Sequence, residues 1–313
     1  MLKYLVIILD DNSVPYCHYE NSNEQNKLMP LEVLKKAVLF GMKENLNIQF
    51  VYPSYSLPTE YEFVIDSVEH SDIKRVTDGK ADIMILDNWS LLDKREIKPD
   101  ETYLIHTNKQ SFFDNYHKLK NLISKAKRVN IVISDLDKFE KKDLCNYENV
   151  LNQLSDFLEE LYLKGQSPQI NCLTDRMILT SMNNCNAADE CITIAPDGKF
   201  YICPAFYYAK ENSVGDIDSG LNIKNHNLYK LENAPICRRC DAYQCKRCIW
   251  LNKKATLEMN TPGRKQCVIA HLERNASRNL MNRLRKHGDF LPEREQIKEI
   301  NYLDPFELIL NNN

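Results

Sequence analysis

The first half of the chain alternates between short runs of branched apolar residues and longer segments whose apolar positions recur every three or four residues. KYLVIIL (3–9) is an unbroken apolar run, as expected of a parallel strand buried on both faces. Pro30 then opens a helix with Leu31, Leu34, Val38 and Met42 along one face. IQFVY (48–52), DIMIL (82–86), TYLIH (102–106), VNIVIS (129–134) and QINCL (169–173) read as further strands. Between them lie helical patterns: one around 59–69, one carrying Phe112, Tyr116, Leu119 and Ile123, and one over 147–163 with Val150, Leu154, Leu158 and Leu161. Six strands with crossover helices predict a parallel α/β sheet or partial barrel.

In such folds chemistry gathers at the C-terminal ends of the strands. Those ends carry Asp10, Asp11, Asp87, His106, Asp135 and Asp175. The first strand is followed by a loop containing Cys17. Asp10, Cys17, Asp87, His106 and Asp135 are therefore the candidates for a catalytic rim. The plainer expectation is that such aspartates cap the helices that follow, as Asp137 is expected to do, and that His106 is a hydrogen-bonded core residue.

The second half follows a different pattern. CITIAPDGKFYIC (191–203) alternates on both sides of Pro196-Asp197-Gly198 and reads as a hairpin that brings Cys191 near Cys203. Thr261-Pro262-Gly263 is a turn, after which Cys267 starts a helix running to about residue 287. That helix carries a basic stripe of Arg274, Arg278, Arg283, Arg285 and Lys286, either a solvated face or a surface for an acidic leader peptide. Residues 289–313 form an amphipathic tail.

Hydrophobic residues make up 43% and charged residues 27% of the 313, values that place the chain among globular proteins. A net charge of −3 argues against bulk nucleic-acid binding. The apolar run LVIIL is too short for a signal or membrane helix, and a cytoplasmic location without membrane contact is expected. In that compartment the 11 cysteines need an explanation other than disulfides. Only Cys17, Cys145 and Cys172 precede residue 180; the others are Cys185, Cys191, Cys203, Cys237, Cys240, Cys245, Cys248 and Cys267. CRRCDAYQCKRC (237–248) is a C-x₂-C-x₄-C-x₂-C array, two chelating pairs in tandem.

Eight clustered thiols make two complete sets of four, which fits two [4Fe–4S] clusters or two Zn²⁺ ions. Zinc knuckles separate their CxxC pairs by a dozen or more residues, whereas the gap here is as compact as in ferredoxin ligation. A four-thiolate [4Fe–4S]²⁺ centre carries a net negative charge. Arg238, Arg239, Lys246, Arg247, Lys253 and Lys254 either offset that charge or form an ordinary solvated surface.

The order C-x₅-C, G-x₄-C, C-x₂-C-x₄-C-x₂-C and a distant cysteine resembles the SPASM domain found downstream of radical SAM enzymes that mature ribosomal peptides and sulfatases. The usual spacing inside the array is x₂, x₅, x₃; here the last two gaps are each one residue shorter. The resemblance implies interlocked ligation: Cys185, Cys191, Cys203 and Cys248 on a first cluster, and Cys237, Cys240, Cys245 and Cys267 on a second. It divides the chain into a β/α part at 1–176, a SPASM-like iron–sulfur part of α+β type at 177–288, and a tail at 289–313. The front part in turn resembles a radical SAM partial (β/α)₆ barrel.

Two features expected of such a barrel are missing. CxxxCxxC should lie in DDNSVPYCHYEN, where Cys17 stands alone, and a GGE segment should follow the second strand, where the chain reads YPSYSLP (52–58). No S-adenosylmethionine binding is therefore expected, nor its reductive cleavage. LDDNSVPYCHYEN near the start and NCLTDRM before the cysteines resemble the CXXX repeat peptide maturases. The resemblance implies a cysteine-rich precursor peptide and a radical SAM maturase as partners. The expected role is an iron–sulfur protein of ribosomal peptide maturation that binds the precursor or relays electrons to the partner. A stand-alone peptide-modifying enzyme using the barrel rim, and a zinc-stiffened peptide-binding module, are the alternatives.

Overall fold

The computed structural model describes residues 1–21, 26–182, 185–295 and 297. The expected C-terminal tail lies mostly outside these. In chain order the front half runs β1 (Tyr4–Ile8), α1 (Leu31–Lys43), β2 (Asn47–Val51), α2 (Thr59–Ile65), β3 (His70–Arg75) and β4 (Ile83–Leu86). It continues with β5 (Thr102–Thr107), α3 (Lys109–Asn115), α4 (Leu119–Ile123), β6 (Arg128–Ile133), α5 (Lys141–Leu163), β7 (Gln169–Ile170) and α6 (Asp175–Ile178). The remainder is β8 (Cys191–Ile194), β9 (Phe200–Tyr201), α7 (Pro204–Tyr208), β10 (Gly215–Asp216), β11 (Gly220–Leu221), α8 (Ile249–Thr256) and α9 (Arg264–Lys286). The protein is of α/β class, built on parallel strands. It divides into two compact units, each made of two chain segments: Met1–Asp87 with Cys185–Ala234, and Asn88–Asn184 with Pro235–Asn313.

In the first unit the strand order is β4-β3-β2-β1-β8-β9. β1 pairs in parallel with β2 on one side and with β8 on the other, Tyr4 opposite both Asn47 and Cys191. The expected hairpin is present: β9 returns antiparallel to β8, and Gly198 at φ +76 donates its N–H to Ala195 across the turn. β1 is buried almost throughout, as its sequence requires, and Leu5, Ile7, Ile48, Phe50, Ile192, Ile194 and Phe200 form the centre of the core.

Two expectations change here. β3, HSDIKR, is a strand that the apolar pattern does not reveal, because Ile73 is its one buried residue and residues 76–82 lead to β4 without a helix. Met42 is 59% exposed; α1 turns Leu34, Ala37, Val38 and Gly41 inward instead. A Cβ at Gly41 would come within 2.7 Å of the Ile48 side chain, so any larger residue there needs Ile48 to shift.

In the second unit β5, β6 and β7 form a parallel ladder in the order β7-β6-β5. α5 starts at residue 141, earlier than the periodicity suggests, because Glu140 and Asp143 close a reciprocal capping box. Its buried face, including Leu144, Leu151, Leu158 and Leu161, packs along α9. The helix expected over Phe112–Ile123 is instead α3 and α4 joined by a 3₁₀ turn at Tyr116–Lys118, where Asn115 leaves helical geometry. No helix among the described residues is long and apolar enough to cross a membrane.

β10 and β11 extend the hairpin region, with Val214 and Ile217 N–H groups donating to Phe200 and Gly198 carbonyls. Gly215 sits at φ +120, and a Cβ there would lie 2.1 Å from the Gly220 carbonyl oxygen. Gly215→Ala is expected to lower the unfolding free energy by about 1–3 kcal/mol in urea titration, from backbone strain and this clash together.

Candidate metal centre

The loop from Pro235 to Cys248 contains little regular structure, so its shape must come from side chains. Asp241 supplies much of it. This carboxylate is buried, accepts from Arg274 Nη1 of α9 at 3.1 Å, and lies 3.6 Å from Arg176 Nη2 of α6. Arg176 Nε also donates to the Asp241 carbonyl at 3.1 Å. Gln244, equally buried, donates to the Ala270 carbonyl of α9 at 2.6 Å. Two arginines on one buried aspartate thus hold the cysteine loop against two helices.

The clamp presents four thiols to one pocket. Cys237 opens a 3₁₀ turn, the Cys240 N–H closes that turn onto the Cys237 carbonyl, Cys245 follows the Asp241 clamp, and Cys267 lies in the first turn of α9. All four line a single pocket together with Arg247, His271, Gln266, Met182, Ile236, Pro262 and Ala270. Cys240 Sγ is 3.7 Å from His271 Nε2, and the Arg247 N–H donates to Cys245 Sγ at 3.4 Å.

Burial pushes the Cys245 thiol well up, and the neighbouring Cys237, Cys240 and Cys267 add to the rise. Burial also pushes Cys237 up to about 11; Cys240 adds to the rise and Arg247 opposes it. Without a cation these thiols stay protonated. A bound metal releases their protons, so binding is coupled to pH.

Among the described residues no three His, Cys, Asp or Glu side chains come close enough together to hold a single metal ion. Cys237, Cys240, Cys245 and Cys267 nevertheless share the lining of one pocket. In a cubane each thiolate binds a different iron, so its ligands stand apart around a body several ångströms wide. Four thiols are the donor set that such a group takes.

The other four cysteines assigned by resemblance are differently placed. Cys185 is exposed; Cys191 heads β8 and Cys203 directly precedes α7, both half-buried. Burial pushes the Cys191 thiol far up, with the charge of Cys185 adding to it. Cys248 belongs to the second unit, as the N-cap residue of α8. Cys17 is half-buried in the loop after β1. The neighbouring Tyr16 phenol, raised first by its burial, also lies within electrostatic reach of Cys17, Cys191 and Cys203.

The strand-end acids are engaged locally. Asp10 is fully buried and accepts from the Tyr55 hydroxyl at 2.6 Å and the Asn12 N–H at 2.8 Å; Asp11 accepts from the Tyr207 hydroxyl. Asp87 pairs with Arg75 at 3.0 Å. Asp135 accepts from the first N–H of α3 at 2.7 Å, and both Asp175 oxygens accept from Arg128 Nη2 at 2.8 Å. His106 is buried within β5, opposite Val132. Asp137 is not the expected cap: its carboxylate faces Lys254 at 3.2 Å, and Glu140 caps α5.

Part of the stripe on α9 is likewise tied inward, whereas Arg285 and Lys286 are exposed. Arg274 binds Asp241, and Arg283 bridges Asp156 and Glu159 of α5 at 2.9 and 2.8 Å. Of the cations read from the sequence as a group, Arg238 and Arg239 are exposed, while Lys246 faces Asp175 at 3.9 Å. Arg247 is 1% exposed. Nothing in the sequence separates it from its neighbours.

Next to the clamp, Glu273 accepts from the Tyr147 hydroxyl at 2.7 Å, and burial pushes its carboxyl up to about 7. A raised carboxyl favours the folded state at low pH, and that contribution fades as pH climbs from the unfolded value near 4.5 through 7. Glu273→Gln, which keeps an acceptor for Tyr147, should flatten this dependence. Urea midpoints should show the variant more stable than the parent by about 1–2 kcal/mol at pH 8 and close to it at pH 4.5.

No protein-family model and no curated protein matches the sequence. Solved structures do match the fold. Hexahistidine-tagged anSMEcpe with bound AdoMet superposes with a TM-score of 0.63 at 15% identity, covering 91% of this chain and 100% of that one. Native anSMEcpe with bound AdoMet and Kp18Cys peptide gives 0.61 at 14% identity, covering 90% and 99%. The same protein with AdoMet and Cp18Cys peptide gives 0.54 at 14%, covering 91% and 100%. The chain therefore has a radical SAM-like α/β fold, shared over nearly its whole length with anSMEcpe.

Proposed function

We propose that this chain is an iron–sulfur protein of ribosomal peptide maturation. It binds a cysteine-rich precursor peptide, relays electrons to a radical SAM partner, or does both. The observation that carries the reading is the pocket lined by Cys237, Cys240, Cys245 and Cys267. These four come from the array and the distant cysteine that resemble a SPASM domain, and four thiols are the donor set of a [4Fe–4S] cluster. A [4Fe–4S] cluster there would supply one-electron transfer. Cys185, Cys191, Cys203 and Cys248 are proposed for a second such centre.

The shared fold supports a peptide-directed role, since anSMEcpe has been captured with AdoMet and with Kp18Cys peptide. The chain's own sequence supports an accessory role. A cluster that chelates S-adenosylmethionine through one open iron needs three cysteines from the loop after β1, and that loop offers Cys17. Tyr55 of YPSYSLP, in the segment where the glycine-rich motif would stand, is bonded to Asp10.

Anaerobic reconstitution of the full chain is expected to load about eight irons, four per thiolate set, and to yield no deoxyadenosine from S-adenosylmethionine under dithionite. About two zincs and no iron would identify a zinc-stiffened binding module instead. Deoxyadenosine formed by the pure chain alone would identify a catalyst. The pairing of ligands has its own test. Cys267→Ala should abolish one spectroscopic centre and Cys248→Ala the other, whereas loss of the same centre in both variants would show that the two sets are not interlocked as proposed.

A further inference from the structure

CRRCDAYQCKRC contains four cationic side chains, and the structure treats them unequally. Arg238 and Arg239 are exposed, and Lys246 is half-buried facing Asp175. Arg247 is the largest fully buried side chain among the described residues. It lines the same pocket as Cys237, Cys240, Cys245 and Cys267. Its backbone sits at φ +43, in the left-handed region that a branched or long side chain avoids. In that conformation its N–H reaches Cys245 Sγ. Both its main chain and its side chain therefore bear on the thiolate set.

A guanidinium stays protonated at any working pH, and taking it out of water is costly without negative charge nearby. Four thiolates around a [4Fe–4S] core supply that charge, and one-electron reduction increases it by one. A fixed cation lining the same pocket, in a region of low dielectric, favours the more negative state. Hydrogen bonds to the ligand sulfurs act in the same direction.

Resting on the iron–sulfur reading above, we infer that Arg247 is a positioning residue that sets the reduction potential of the centre held by Cys237, Cys240, Cys245 and Cys267. It makes that centre the more easily reduced. The exposed Arg238 and Arg239 contribute little, because water screens them.

The test uses the full chain, reconstituted anaerobically with iron and sulfide and titrated with dithionite in the presence of mediators. The relevant signal is the one that disappears in Cys267→Ala. Arg247→Gln is expected to keep its iron while its centre becomes harder to reduce. At the potential where the parent centre is half reduced, the reduced-to-oxidised ratio should fall about tenfold, a shift of about 59 mV for one electron. Arg247→Lys should recover most of the shift, and Arg238→Gln should show none. An unchanged potential in iron-loaded Arg247→Gln overturns the inference. So does loss of the centre in both Arg247→Gln and Arg247→Met with retention in Arg247→Lys, which would make Arg247 an assembly residue. Absence of iron from the parent protein is a different failure, that of the iron–sulfur reading itself.

Discussion

The candidate centre depends on one buried carboxylate. Asp241 stands between the two cysteine pairs and holds Arg176 and Arg274, all three almost completely removed from water. A loop with so little regular hydrogen bonding could take many shapes. An ion pair in the interior restricts them, because breaking it would leave a charge stranded where solvation is poor. α9 carries Cys267 in its first turn and Arg274 two turns later on its buried side. One helix supplies both a thiol to the pocket and a cation to the clamp that shapes it.

The strand-end acids of the front half do a comparable job in their own surroundings. Asp10 and Asp11 receive phenol hydroxyls from Tyr55 and Tyr207, and Asp135 receives the leading N–H of α3. Each carboxylate organises the loop it belongs to. The back half carries a different kind of chemistry: thiols raised by burial and by one another, beside a buried guanidinium. Held protonated when empty, such a group gives up several protons when it takes a cation. On the iron–sulfur reading proposed above, loading would be a charge exchange in which Arg247 offsets part of what the thiolates bring.

The sequence discloses those parts of the molecule in which local pattern and burial agree. β1, β2, β4, β5 and β6 are legible because their side chains are apolar where they are buried. The hairpin is legible because Asp197-Gly198 suits the turn it makes. β3 is hidden because its partners and not its composition make it a strand, with Ile48 to Val51 paired against His70 to Ile73. The periodicity misplaces Met42 because glycine carries no hydrophobic signal, yet Gly41 holds the inward position. For the site, spacing marks the array of Cys237, Cys240, Cys245 and Cys248, the SPASM resemblance groups the first three with Cys267, and those four line one pocket. Arg247, His271 and the Asp241 clamp are illegible. Whether an arginine faces water or a pocket is decided by chain segments far away in sequence.

The division of the chain into units that each draw on two separated segments has a consequence for its synthesis. β1 is the central strand of the first unit, and one of its two edges is filled by β8, which leaves the ribosome nearly two hundred residues later. Until then that edge presents unpaired main-chain groups on a highly apolar strand, the situation in which strands recruit the wrong partner. β5 to β7 and α5 are made during the wait, although their own unit still lacks α9. Neither unit can therefore close in order of synthesis, and the nascent chain must stay protected until most of it exists.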